Sequence, residues 1–585
     1  VDNTRITRIL AALLILVAGG AAWAAQVDYY NYQQFGGTWV DAEKMPKNYT
    51  QDSLMCWAAA ASNVITWSGW TTTGLTQTDD IFKYYQDHWT NEGGLMEYGW
   101  SWWFSGVNPT QGVPGWSQVD VSGGNFFPTK DIDNFLHTEY STTTALSTMA
   151  QYLRAGYGTS LGIYTDSGGG HGITAWGYKY DNVTGQYLGI WITDSDDNKY
   201  SDTPPDAIRY YSVLYNVNDN RWYLQNYFGT SNVWYIGTVQ GLARADATYW
   251  TSTTNGSWTQ SSRWQNGVPS SSKIAFIGNN TTATISAAAS ASNVYIGYES
   301  GASYAGTVQL NSGGSLTIAT SLYVGFMSGA NGTLNMSGGS LSAPSQYIGD
   351  GGTGALTQSS STNTVASALY VGYAVGGAGK YNLNGGALTV NAGGSIRIGA
   401  DSGTGRFAWY AGTITTPSMV LGAAGTLAMG FDFNVANLAS GALFSGGGTL
   451  TGLSSSTLEI SNNATASESS GTFTVKYLNI GGATTSGEYN LSGGQLTVPT
   501  GGSIRVGADG GTGRFEWYGG TITTPSFVLG ASGTLAMGYN FNVANLASGA
   551  LFTSGGTLTG LSSATLEVTN NATATENSGT LAVKI

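Results

Sequence analysis

Residues 381–390 read YNLNGGALTV, and residues 489–498 read YNLSGGQLTV. The two segments lie 108 residues apart, and ASGALF at 439–444 recurs at 547–552 with the same offset. A finer repeat precedes them. Tyr295-Ile296-Gly297, Tyr323-Val324-Gly325, Tyr347-Ile348-Gly349 and Tyr370-Val371-Gly372 follow one another at intervals of 23 to 28 residues. Paired glycines ahead of a leucine punctuate the same region, as in Ser312-Gly313-Gly314-Ser315-Leu316, Ser337-Gly338-Gly339-Ser340-Leu341 and Asn384-Gly385-Gly386-Ala387-Leu388. Each unit reads as two or three short strands with glycine turns. A unit of two or three short strands cannot bury its apolar face alone. Stacked neighbours can, so residues 244–585 are expected to form a β-solenoid, specifically a right-handed parallel β-helix.

This region resembles the β-strand repeats of autotransporter passengers and related bacterial surface proteins. Its first segment, TYWTSTTNGSWTQSSRWQNGVPSSSKIAFIG, resembles the opening that precedes such repeats. A polysaccharide-cleaving β-helix would need clustered carboxylates or basic groups in a groove. Here the charges are scattered and no histidine follows His171, so a stalk, surface module or binding surface is expected. The second copy stops at Val583-Lys584-Ile585, where the first continues as Val475-Lys476-Tyr477. The repeat region is therefore expected to be truncated at its C-terminus.

Ahead of residue 244 the composition changes. The chain has 585 residues, a net charge of −13, 9 % charged residues and 86 glycines. The negative charge argues against nucleic acid and anionic membrane surfaces as partners. Aromatic residues and helical patterns concentrate in residues 26–243, the expected first folded domain. Residues 130–154 carry two amphipathic helical patterns joined by a Thr-rich break. From Gly158 onward come strand patterns, so the domain is expected to be α+β, helices first and strands second. Residues 1–25 read as a secretory signal peptide: Arg5 and Arg8, an apolar run from Ile9 to Ala18, then Ala22-Trp23-Ala24. Export, to the medium or the cell surface, follows from that reading, with no membrane insertion once the signal is removed.

An exported chain with one cysteine cannot form an internal disulfide. That cysteine, Cys56, opens LMCWAAAASNVITW (54–67). Four consecutive alanines favour a helix and permit close packing. Cys56 is thus expected in a helix's first turn, where unpaired N–H groups and the helix dipole favour a thiolate. There are three histidines. His88 and His137 read as ordinary structural residues. His171 follows Asp-Ser-Gly-Gly-Gly and begins a strand pattern. Asp181-Asn182-Val183-Thr184-Gly185 reads as a hairpin turn, and the next strand, Tyr187 to Thr193, runs into Asp194-Ser195-Asp196-Asp197-Asn198. This hairpin sets His171 and Asp194 on adjacent strands. A thiol nucleophile needs a base beside the sulfur and a group that orients the imidazole. The acidic run lacks the glycine and distal glutamate of a calcium loop. No metal or cofactor is expected. Tyr98, Trp100, Trp102, Trp103 and Phe104 read either as core or as one wall of a peptide cleft.

These motifs resemble the IdeS/Mac family of secreted cysteine endopeptidases, which have a papain-like fold. The resemblance rests on Cys56, Ala58, Ala59, Ala61, Asn63 and Trp67, on His171 with Trp176, Gly177 and Asp181, and on Thr193-Asp194-Ser195-Asp196. It spans about residues 27–243. It implies that Cys56 is the nucleophile, His171 the base, Asp194 its orienting group and Asp196 a support. It also implies a lysine shortly before the cysteine on the oxyanion side. Lys47 is nearer the expected spacing than Lys44, and Gln51 competes as an amide donor. The function expected is therefore a secreted cysteine endopeptidase acting on a protein or peptide. Immunoglobulin is cleaved by members of that family, but the surfaces that recognise it are not legible here. The alternative is a cell-surface adhesin with an inactive peptidase-like domain. A transferase using the same three groups is the third reading.

Overall fold

A computed structural model describes residues 26–44, 52–106, 123–181, 184–196, 207–299, 305–446, 448–482 and 485–575. The expected signal peptide, Lys47 and Gln51 lie outside the described residues. The chain forms two compact units that divide between Asp246 and Ala247.

In the first unit helices and strands form around one antiparallel sheet. The elements are β1 (Gln26–Tyr30), α1 (Asn31–Phe35), α2 (Cys56–Trp67), α3 (Thr78–His88), α4 (Met96–Ser105), β2 (Leu136–Glu139), α5 (Ala145–Arg154), β3 (Gly158–Tyr164), β4 (Gly170–Asp181), β5 (Gln186–Thr193), β6 (Arg209–Asn216), β7 (Arg221–Leu224) and β8 (Tyr235–Leu242). Pairing runs β4-β3-β8-β7-β6-β5 and returns from β5 to β4, closing the ladder; β1 adds to β4 and β2 to β8. Leu161, Ile163, Ile173, Ile190, Ile192, Ile236 and Val239 pack together with α5 through Leu146, Met149 and Leu153.

α2 is buried along nearly its whole length, Ala58 to Ala61 included. Its alanines bring neighbouring backbone close. On α4, Gly99 approaches so near that a Cβ there would lie 2.9 Å from the Trp57 ring and 3.3 Å from the Ala61 Cβ. Trp100, Trp102, Trp103 and Phe104 are core residues. The first of the two helices expected within 130–154 is absent. Ile132–Asn134 is a single 3-10 turn, and Leu136–Glu139 is strand β2, with Leu136 opposite Leu242. A helix this short is marginal by itself, whereas the β8 edge supplies a ready set of backbone partners.

The second unit is a β-solenoid of about 11 turns from residue 247 to 529. Its strands pair in parallel, each with the strand one turn away. The Tyr-x-Gly repeat has a direct structural cause. Tyr249, Phe276, Tyr295, Tyr323, Tyr347 and Tyr370 occupy one register position on successive turns. Their rings stack at 4.7 to 4.9 Å, the spacing of neighbouring strands. Flanking Leu322 and Val324 point inward with the other aliphatic residues of the core. The glycine that follows turns the corner at positive φ, 72° at Gly325, and a Cβ there would lie 2.2 Å from the Thr353 carbonyl oxygen. A side chain cannot be accommodated at that point.

One buried carboxyl gives the solenoid a pH dependence. Tyr381 and Tyr489 occupy corresponding places in the 108-residue repeat, and each hydroxyl donates to a core side chain from the preceding turn. Gln358 accepts from Tyr381, and Glu468 accepts from Tyr489 at 2.5 Å. Glu468 is 1 % exposed, and burial pushes its carboxyl up to about 7 against the pull of the Tyr489 hydroxyl. A carboxyl raised on folding binds its proton more tightly in the native state. Its stabilising effect is full below the ordinary glutamate value and is lost as pH rises from 4.5 to about 7. The loss at pH 8 should be about 3 kcal/mol. Glu468→Gln keeps an acceptor for Tyr489, as Gln358 does for Tyr381, and should flatten this slope in denaturant unfolding measured between pH 5 and pH 8. A residual slope should remain from Asp350, which burial also pushes to about 7. An unchanged slope in the variant would exclude Glu468 as its source.

Among the described residues, no helix is long and apolar enough to cross a membrane, and no group of three or more His, Cys, Asp or Glu side chains is placed to hold a metal ion.

Candidate active site

Cys56 is the first residue of α2, and no side chain caps that helix end. The first-turn N–H groups are therefore free of a capping side chain, as a site for negative charge requires. β4 passes beside it, and the Gly172 N–H donates to the Cys56 sulfur at 3.3 Å. The approach is tight, since a Cβ at 172 would lie 3.2 Å from the Trp57 Cα and 3.3 Å from the Cys56 carbonyl oxygen.

His171 precedes that glycine and is 8 % exposed. Its Nε2 bonds Asp194 Oδ1 at 2.6 Å, and its ring interacts electrostatically with the Cys56 sulfur. With Nε2 engaged, Nδ1 is the ring nitrogen left for sulfur. The β4–β5 hairpin sets this geometry, with Thr174 opposite Thr193 immediately before Asp194. Its turn is held by Asp181, whose carboxylate accepts the Thr184 N–H at 3.0 Å.

Asp194 has two more partners. The Asp196 N–H donates to Oδ1 at 3.0 Å, and the Tyr227 hydroxyl donates to Oδ2 at 2.5 Å. Asp196 in turn pairs with Lys44, Oδ1 to Nζ at 2.6 Å. Lys44 Nζ also donates to the Ser53 carbonyl at 3.1 Å, and its backbone N–H donates to the Ser195 carbonyl at 3.2 Å. Lys44 and Asp196 are both nearly buried.

Burial opposes charge at all three central groups, and their neighbours reverse it. Burial pushes the Cys56 thiol up, but His171, Lys44 and the Gly172 N–H together bring it below the ordinary cysteine value. Burial disfavours protonated His171, but Asp194 and Cys56 hold it well above the ordinary imidazole value. Burial raises Asp194, yet His171, Tyr227 and the Asp196 N–H bring it below the ordinary carboxylate value. The arrangement favours a thiolate–imidazolium pair, the form in which sulfur is nucleophilic and a proton is held ready for a leaving group.

A cleft of about 630 Å3 opens onto Cys56 and His171. Lys44, Gly93, Tyr98, Tyr164, Phe228 and Trp234 are among its lining residues. Of the sequence-stretch 98–104, only Tyr98 reaches it. The structure thus brings together Cys56, His171, Asp194 and Asp196. Sequence spacing favours Lys47 over Lys44, yet Lys44 is the lysine beside the described site. Its position is fixed by Asn63 on α2, whose Oδ1 accepts the Ala42 N–H at 2.8 Å while Nδ2 donates to Thr174 Oγ1 at 3.0 Å. The segment ending in Lys44 is thereby tied both to the cysteine helix and to the histidine strand.

Tyr227 carries no sequence signal as one of 35 tyrosines. It is fully buried and arrives from the loop between β7 and β8. Tyr227→Phe should lower turnover roughly tenfold, equivalent to about 1.4 kcal/mol at the transition state. It should also destabilise the unit by about 1.5–3 kcal/mol, the range for a hydrogen bond to a charged group. Steady-state kinetics and thermal unfolding of the variant check both. Unchanged turnover would make Tyr227 a purely structural partner of Asp194.

No protein-family model matches the sequence, and no curated protein does.

Proposed function

We propose that the chain is a secreted cysteine endopeptidase whose first unit is a papain-like domain of the IdeS/Mac type and whose solenoid serves as a surface module. Export by residues 1–25 is part of this reading. The observation that carries it is the cluster in which Tyr227 holds Asp194, Asp194 holds His171 and His171 lowers the Cys56 thiol, with Cys56 and His171 lining a cleft of about 630 Å3.

The Cys56 thiolate attacks the carbonyl carbon of the bound peptide, forming the C–S bond of a tetrahedral intermediate. Lys44 Nζ and the first-turn N–H groups of α2 supply positive charge on that side of the sulfur. His171 gives its proton to the leaving nitrogen, the C–N bond breaks, and a thioester remains on Cys56. His171, now neutral, takes a proton from water as its oxygen attacks the thioester. The acid leaves and the Cys56–His171 pair is restored. Asp194 keeps the imidazole oriented through both steps, with its second oxygen held by Tyr227.

The test is direct. The purified chain is incubated with a mixed peptide library and the products are read by mass spectrometry. New termini with the native chain, and none with Cys56→Ala, are expected. Amide products joined to added amines would favour a transferase, and no products at all would overturn the proposal.

A further inference from the structure

The pairing of β1, β4, β5 and β6 sets two rows of residues on one face of the sheet. Tyr30, Gly177, Trp191 and Tyr210 stand opposite one another in the first row, and Asp28, Lys179, Gly189 and Ser212 in the second. The row between them, Tyr29, Tyr178, Ile190 and Tyr211, faces the other way, into the cluster built with α5. The glycines leave room for rings. A Cβ at Gly189 would lie 2.3 Å from the Tyr210 ring, and one at Gly177 would lie 3.0 Å from the Tyr30 ring. The rings form a continuous strip. Their centroids are 5.0 Å apart from Tyr210 to Trp191, 5.5 Å from Trp191 to Tyr30 and 5.4 Å from Tyr30 to Tyr32 on α1.

Polar contacts hold the strip in place. The Trp191 Nε1–H donates to Asp28 Oδ1 at 3.1 Å, and the Tyr210 hydroxyl donates to the Leu188 carbonyl at 3.1 Å. Lys179 Nζ lies 5.2 Å from the Tyr210 ring centroid and 3.8 Å from Asp28 Oδ2. The charges of Lys179 and Asp28 thus offset each other, and the strip offers no net field to an ionic partner. It is also small. Tyr210 is the most exposed of the four rings, at 36 %. Four aromatic side chains of about 200 Å2 each then offer less than about 300 Å2, against about 800 Å2 per partner in a stable protein interface. None of the four lines the cleft at Cys56, and Gly177 stands about 20 Å along β4 from His171.

We infer that this face binds a neutral polysaccharide, stacking its pyranose rings on Trp191 and Tyr210. A pyranose presents C–H groups on its faces and hydroxyls around its rim. The C–H face meets the negative face of an aromatic ring, and here the rings are already fixed before binding. Asp28, Lys179 and Ser212 stand beside the rings and supply an acceptor and donors for the rim hydroxyls. Such a chain needs only a few ring contacts, which the strip provides and which are too few for a folded protein partner. The inference does not rest on the peptidase reading.

Native gel electrophoresis of the full chain through soluble polysaccharide tests it. Hydroxyethyl cellulose, galactomannan and glycogen are the neutral probes, and polygalacturonate is the anionic one. At least one neutral probe should retard the native chain. Trp191→Ala should weaken that retardation about tenfold, as the loss of a stacked ring does, and Trp191→Phe should restore most of it. If thermal unfolding shows that Trp191→Ala is not folded, Tyr210→Ala, at the exposed end of the strip, carries the result with the same expected loss. Retardation by none of the probes, by polygalacturonate alone, or equally in the native chain and the folded variant overturns the inference. So does concentration-dependent self-association that the variant abolishes, which would give the face to a second copy of the chain. Cys56→Ala should be retarded as the native chain is. Retardation by a neutral probe without any cleavage of peptides would leave this face standing and remove the peptidase reading.

Discussion

Cys56→Ala will lower turnover by about 10⁴–10⁶-fold, the scale on which losing a nucleophile from a coupled site is felt. The first unit should remain folded, because alanine is the best helix former and position 56 begins a helix already rich in it. The companion variant tests the electrostatics. In His171→Ala, burial of the thiol is no longer opposed by its main cationic neighbour, and the cysteine pKa should rise above the ordinary value of 9.0. The native thiol lies below that value, and its imidazole partner well above 6.5. Both shifts favour the thiolate–imidazolium pair over the neutral thiol and imidazole. Alkylation by iodoacetamide should therefore stay fast near neutral pH in the native chain and move to alkaline pH in His171→Ala. The same pH profile in both proteins would show that His171 does not control the sulfur.

Lys44→Met will cost turnover about 10²–10³-fold if its ammonium faces the developing oxyanion. It will also destabilise the first unit by about 3–5 kcal/mol, because it leaves the nearly buried Asp196 without its cation. The two effects can be separated. In Lys44→Met with Asp196→Asn the charge imbalance is gone, and much of the stability should return. Turnover should not, since the positive charge beside Cys56 is still missing. Full recovery of turnover in the double variant would mean that Lys44 serves only to hold Asp196. Kinetics and denaturant unfolding on the same three proteins decide the matter.

Much of the site is legible because its chemistry restricts where such residues can stand. A lone cysteine ahead of four alanines marks a helix start. A histidine after three glycines marks a strand start, and the Asp181–Gly185 turn pairs that strand with the one ending in Asp194. These are local patterns, and the β4–β5 pairing beside α2 brings the residues together. Tyr227 and Lys44 are different. The first reaches Asp194 from a loop 33 residues away, and the second is set by the Asn63 clamp rather than by its spacing from Cys56. Neither loop path nor clamp has a periodicity to read.

The solenoid follows from sequence alone for a simple reason. Parallel stacking puts one position above its counterpart on the next turn, so a structural need such as ring stacking at strand spacing must repeat in the chain. In the first unit no such repetition exists. There the sequence by itself determined the strand run after Gly158, the cysteine helix and the order of the reactive groups. Tertiary structure decided that Leu136–Glu139 is a strand paired with β8, that Lys44 stands beside Cys56 and Asp196, and that Tyr227 reaches Asp194. Each of these depends on what packs across a distance in sequence, and a helical pattern of a few residues or a single charge cannot encode that alone.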